Sequence, residues 1–267
     1  MTELDSENRT DTDQEEIKPF VAPCRDLGTD APLKWLKSGW QDFSAAPGLS
    51  LAWGGFCCFL LTFVTWVSWR LGGWVLLISV LSGFIFIGPI LAFGMYSISR
   101  QLCLGNRPNL AQTLKAARKP FANALVFALV LLVIFLLWAR AGTMVHIFFP
   151  SEGEVRVADL LLYLGVGSAV GSIFASICFA ASVFSLPFIA NRDVDVITAV
   201  VSSINAVLRN RWTMLIWGIA IAGFTALGFI TAMLGFIVII PLLGYATWHA
   251  YRDALDVTDW PVLPGAK

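Results

Sequence analysis

Charge is scarce in this chain. Asp, Glu, Lys and Arg make up 13% of its 267 residues, against about 25% in a soluble globular protein. Apolar residues take their place: 57% of the chain is hydrophobic and mean hydropathy is +0.75. That balance excludes an ordinary soluble domain and indicates a membrane protein. Formal net charge is +0, so no global field would draw nucleic acid. Histidine is nearly missing, with only His146 and His249. The five cysteines (Cys24, Cys57, Cys58, Cys103 and Cys178) have neither metal-ligand spacing nor the pattern of a disulfide framework. No nucleophile motif is present. The glycine-rich GVGSAVGS lies inside an apolar run with no strand before it, so it is not a nucleotide loop. The first 20 residues lack the basic and apolar regions of a signal peptide. They form part of an expected disordered acidic cytosolic tail over 1–29. These absences argue against an enzyme and imply no cofactor and no metal.

What is present is a repeat. GFIFIGPILAFGMYSISR at 83–100 aligns without gaps on GFIVIIPLLGYATWHAYR at 235–252. Gly83 matches Gly235, Pro89 matches Pro241, and Arg100 matches Arg252. A weaker copy, ASVFSLPFIANR at 181–192, puts Pro187 in the same column. Six apolar spans are expected at 49–69, 73–99, 121–138, 160–190, 212–230 and 232–251, since about 20 apolar residues cross a bilayer core. Arg70 and the Gly72-Gly73 pair are expected to end the first. Proline inside a span removes a backbone donor, and neighbouring helices must then accommodate the freed carbonyl.

Between spans the apolar spacing is helical and one-sided, at 30–43, after Asn109 and Gln112, and at 191–210. Asp30 is expected to cap the first of these helices, with Pro32 in its first turn. That helix either lies in the membrane interface or packs on the protein's own cytosolic face. The expected fold is therefore all-α: a polytopic six-helix transmembrane bundle built from three parallel two-span repeats with cytosolic amphipathic helices. The membrane domain covers 30–255, with repeats at about 30–100, 105–192 and 193–252, and a short cytosolic tail covers 256–267. Fifteen of the 18 basic residues fall on one side of this threading, which sets that side and both termini in the cytoplasm.

Within the spans, Gly167, Gly171 and Ala175 recur every fourth residue, as do Ser168, Ser172 and Ser176. Such ridges allow close helix contact. The second, fourth and sixth spans, which hold the prolines and most useful glycine, are expected to form an inner layer. The third span, rich in bulky aliphatics, should face lipid, so that Leu131 matters little and Gly171 matters much. Arg100 and Arg252 either bind an anionic group or fix topology at a helix end. His249, beside Trp248, Tyr251 and Arg252, is either proton-sensitive or an interfacial anchor. With no carboxylate inside a span to pair with it, the anchor is the expectation.

Four segments, PLKWLKSGWQDF, GPILAFGMYSISRQL, LPFIANRDVD and PLLGYATWHAYRD, resemble the signature segments of a family of bacterial integral membrane proteins known only as a domain of unknown function. The resemblance covers about residues 25–253. It implies six helices in an inner membrane and no established activity. Some members of that family carry a cytochrome c oxidase subunit I label. Two histidines on opposite sides of the membrane cannot supply haem and copper ligands together, so the label does not fit this chain. Two functional classes remain. One is a membrane scaffold or assembly protein, with the lipid bilayer and a membrane-protein partner or a second copy as its contacts. The other is a small-molecule or lipid transporter without intramembrane ionisable coupling residues.

Overall fold

The computed structural model describes residues 20–109, 111, 113, 120–147 and 157–263. Among them the secondary structure is helical, apart from two isolated bridges, Cys24 to Leu255 and Arg192 to Val262. The helices are α1 (Ala31–Ala45), α2 (Pro47–Leu91), α3 (Phe93–Cys103), α4 (Phe121–Ile147), α5 (Val157–Ser182), α6 (Ser185–Asn191), α7 (Val196–Arg209), α8 (Arg211–Ile230) and α9 (Phe236–Ala254). Among the described residues, four stretches are long and apolar enough to cross a membrane: Pro47–Gly72, Ala122–Gly142, Leu161–Asn191 and Arg211–Ile230.

The amphipathic helices form where the spacing places them. In α1, Trp35, Gly39 and Phe43 share the buried face, and Pro32 sits in the first turn. Asp30 makes no cap hydrogen bond; its carboxylate pairs with Lys34 at 2.7 Å instead. In α7 the cap does form, with the Asp195 carboxylate accepting from the Thr198 N–H at 2.9 Å. Asn109 accepts from the Ala111 N–H at 2.9 Å, while Gln112 lies outside the described residues.

The expected stop at Gly72-Gly73 is absent as a break in helical structure, because α2 runs through it. Glycine costs a helix only about 1 kcal/mol relative to alanine, which an apolar run can absorb. Yet the run cannot be straight. A Cβ on Gly94 would lie 2.8 Å from the Trp53 ring, and the Ser99 hydroxyl donates to the Asp42 carboxylate. A straight helix would hold residues 53 and 94 about 60 Å apart. The chain therefore folds back between them, which gives α2 two arms.

Each proline is handled differently. The break near Pro89 falls three residues later, at Ala92. Pro187 has no N–H for the Val183 carbonyl, and the chain breaks there, between α5 and α6. Hydroxyls repair that break. Ser203 donates to the Ala180 carbonyl at 2.7 Å and accepts from the Phe184 N–H at 3.1 Å. Ser185 bonds the Ala181 carbonyl and, at 3.1 Å, the Ala199 carbonyl. Pro241 sits inside an unbroken α9. The Ile237 carbonyl that it frees lies against Gly54 of α2, where a Cβ would come within 2.7 Å of the carbonyl carbon.

Of the expected inner layer, the sixth span and residues 181–189 of the fourth are buried, while the side chains of 73–91 in the second lie outside the described residues. Helix α9 is at the centre, with Tyr245, Trp248 and Tyr251 buried. The ridge of α5 is open instead: nothing lies within 4 Å of a Cβ on Gly167, and only the Trp138 ring nitrogen, at 3.9 Å, approaches one on Gly171. The third span is mostly exposed, as expected, but Leu131 is not: it and Phe127 are in the core, and Leu131 is 1% exposed. A repeat column specifies a local bend, but the neighbours that meet each copy differ, so equivalent residues reach unequal depths.

Candidate functional site

The helix ends converge on a polar junction at the end of α9. Its centre is Asp42, on the same face of α1 as Trp35, Gly39 and Phe43. A close helix crossing at Gly39 brings it there, since a Cβ on Gly39 would lie 2.9 Å from the Ala246 nitrogen. His249 Nε2 lies 2.9 Å from Asp42 Oδ2, and the two side chains are 22% and 14% exposed. Ser99 of α3 donates to the same carboxylate oxygen. A carboxylate accepts only, so His249 donates from Nε2. One turn away, Ser50 donates to the Ala46 carbonyl, and the Tyr245 hydroxyl donates to Ser50, both at 2.8 Å. Thus Asp42 ties α1, α3 and α9 together, and Ser50 separately ties α2 to α9.

This corrects the expectation that His249 has no carboxylate partner. The partner comes from the amphipathic helix before the first span, not from a span. The order is serine–aspartate–histidine, with the aspartate in the middle. A nucleophilic triad needs the histidine between serine and acid, to take the serine proton. Here that proton is directed at Asp42, so the arrangement holds helices together and does not activate Ser99.

The two repeat arginines diverge. Arg100 is 8% exposed; its Nη1 donates to the Ala190 carbonyl at the end of α6 at 3.3 Å, and its Nε has no partner. Arg252 is exposed, in the last turn of α9. Pro187 and Pro241 are buried, and Gly235 opens α9 with its N–H donated to the Thr231 hydroxyl at 3.0 Å. The side chain of His146 and the surroundings of Gly83 and Pro89 lie outside the described residues. Among the described residues, no three His, Cys, Asp or Glu side chains are grouped to hold a metal ion.

Residues 20–28 and 255–263 pack beside each other near this junction. Residues 20–28, expected within the tail, form a strap with Ala22 fully buried and its N–H donated to Ser202 at 2.9 Å. The Asp256 N–H reaches the Pro23 carbonyl at 2.8 Å, and the Arg25 N–H reaches Ala254 at 2.9 Å. Beyond α9, Trp260 is buried edge-on against Phe188, and its carbonyl accepts from Arg192 at 2.7 Å. A shallow cleft of about 450 Å³ opens beside this strap, between Phe20, Asn123, Asp193 and Trp260. It lies outside the helix bundle.

The acidity of Asp195 has a clear structural cause. Burial alone would raise its pKa, but the Thr198 and Ile197 N–H groups outweigh that and hold it below the ordinary value.

The spans, the buried junction and the open cleft describe a multi-pass helical membrane protein. Residues 76–191 match a family described as "Predicted integral membrane protein (DUF2189)". The match covers the second arm of α2 through α6, including two of the three proline columns. The chain is thus similar to a membrane-protein family whose description carries no activity. No curated protein matches the chain, and neither does any solved structure.

Sequence reasoning missed Asp42, Ser50, Ser99, Tyr245 and Gly54. Asp42 did leave a signal: it falls seven residues after Trp35, on the apolar stripe of α1, where an acidic residue needs a buried partner.

Proposed function

We propose that this is a non-enzymatic membrane scaffold or assembly protein, whose cytosolic-face junction presents a fixed surface to a membrane partner. The observation that carries this reading is the filled centre. Tyr96, Tyr245, Trp248 and Tyr251 pack together at the end of α9, and each is at most 2% exposed. Beside them, Ser50 bonds Tyr245, and Asp42 bonds Ser99 and His249.

The same reading takes the chain as six crossings in three folded-back pairs: the two arms of α2, then α4 with α5–α6, then α8 with α9. Its support is the approach of Gly94 to Trp53 across α2, and parity agrees, because segments 23–25 and 254–256 are bonded to each other. An even number of crossings must lie between them. The basic-residue asymmetry sets this shared end in the cytoplasm, which in a bacterium makes the membrane the inner one. Reporters active only outside the cytoplasm should work when fused after Gly142 and stay silent after Pro108 or Arg192.

The test of function is affinity purification of the full chain from native membranes, with proteins and lipids both identified, alongside solute flux in reconstituted vesicles. A stoichiometric protein partner without flux is the expected result. Recovery of the chain alone, with selective solute flux, would overturn the scaffold reading.

A further inference from the structure

The outer side of the α1 and α7–α8 region is built unlike the rest of the surface. Leu33 and Trp40 on α1 and Trp212 at the start of α8 are 73%, 53% and 63% exposed. Interleaved with them are three exposed cations, Lys37, Arg209 and Arg211. Arg211 lies over the Trp212 ring, 5.7 Å from its centroid. None of these three makes an ion pair with a described carboxylate, whereas Lys34 is neutralised by Asp30 at 2.7 Å and Arg25 meets Asp256 at 3.5 Å. The acidic neighbours are Asp26 on the strap and Asp253, which accepts from the Trp35 ring nitrogen at 3.0 Å, so three cations face two carboxylates and the local balance stays positive.

The depth of this region follows from packing. The candidate span Arg211–Ile230 begins at the corner. The ring of Trp35 on α1 meets Trp217 edge-on at 5.6 Å, and Trp217 lies six residues into the span, about 9 Å at the helical rise. The middle of α1 is therefore level with the headgroup–acyl boundary, the depth at which amphipathic helices bury their apolar face. Asn210 fixes the arrangement by accepting from the Leu27 N–H at 2.8 Å and donating to the Arg25 carbonyl at 3.1 Å.

We infer that this is a collar for the anionic lipid headgroups of the leaflet around the protein. Lys37, Arg209 and Arg211 meet headgroup phosphates, while Leu33, Trp40 and Trp212 enter the tops of the acyl chains. An exposed apolar face beside unpaired cations fits an anionic membrane surface by charge and by depth.

The experiment titrates the detergent-solubilised full chain with phosphatidylglycerol or phosphatidylcholine and counts bound lipid by native mass spectrometry. Wild type should prefer phosphatidylglycerol, and high salt should weaken that preference. Each cation near an anionic headgroup is worth about fivefold, so Lys37→Gln/Arg209→Gln/Arg211→Gln should lose about a hundredfold. The charge-keeping set Lys37→Arg/Arg209→Lys/Arg211→Lys should retain it. Equal uptake of the two lipids by wild type overturns the inference whether or not the glutamine variant folds. So does a folded glutamine variant, with an unchanged melting midpoint in phosphatidylcholine, that still prefers phosphatidylglycerol.

Discussion

Adjacent glycines in α2 should respond to the same substitution in opposite directions. Gly54 meets the Ile237 backbone so closely that an added Cβ would lie 2.7 Å from the carbonyl carbon, 3.0 Å from Cα and nearer still to the oxygen. The obstacle is main chain on both sides, so no rotamer can relieve it, and α2 and α9 must separate by more than an ångström. That opening would loosen the Tyr245–Ser50 bond and the Cys58 contact with the Met233 carbonyl, now 2.8 and 3.4 Å. Overpacking costs about 1–3 kcal/mol, and backbone on backbone belongs at the upper end. Alanine returns about 1 kcal/mol of helix propensity, which leaves Gly54→Ala destabilised by about 2 kcal/mol. Nothing lies within 4 Å of a Cβ on Gly55, so Gly55→Ala keeps the gain alone. At about 2–4 °C per kcal/mol for a domain of this size, Gly54→Ala should melt about 4–8 °C below wild type and Gly55→Ala slightly above it. A thiol-reactive dye reads the transition, because Cys57, Cys58 and Cys178 are buried. Equal midpoints for the two variants would refute the claim that α2 and α9 touch backbone to backbone at the carbonyl freed by Pro241.

Three further outcomes are expected. Asp42→Asn and His249→Gln should each cost about 1–3 kcal/mol by leaving a buried partner unsatisfied, and a double-mutant cycle should show them coupled rather than additive. Asp195→Ala should cost about 1 kcal/mol at neutral pH. Because the folded pKa of Asp195 lies below the unfolded 3.8, the wild-type advantage is present above that value and fades as pH falls through the folded pKa; a midpoint gap that widens in acid would contradict it. Leu131→Ala should cost about 2 kcal/mol or more, as for a buried leucine, while Gly171→Ala, in open space, should be neutral or slightly stabilising; both are read from melting midpoints.

Much of the helical layout was legible because it rests on local chemistry. Apolar runs marked the long helices, and one-sided spacing marked α1 and α7. The need to shield carbonyls near the prolines was also readable. Which group would shield them was not: Ser203 serves Ala180 near Pro187, whereas Gly54 admits Ile237 near Pro241. Those partners lie 23 and 183 residues away, and nothing local encodes them. The junction was hidden for the same reason. Helical spacing gives the face on which Asp42 sits but not the helix that covers it, so His249 looked unpaired. The α5 ridge misled in the opposite way, since small residues permit a close neighbour without supplying one.

The most direct test of three folded-back pairs gathered at one junction is a distance between spin labels on Gly48→Cys and native Cys103, with the other four cysteines replaced by serine. Gly48 is open to substitution and Cys103 is exposed. The Asp42–Ser99 bond ties the chain within a few turns of each label, so the fold places the pair closer than about 30 Å, whereas an uninterrupted helical path between them would span about 80 Å. A distribution centred below about 30 Å is predicted at the helical rise. A distribution beyond about 60 Å would mean that α2 runs straight, and both the junction and the paired-crossing architecture would be wrong.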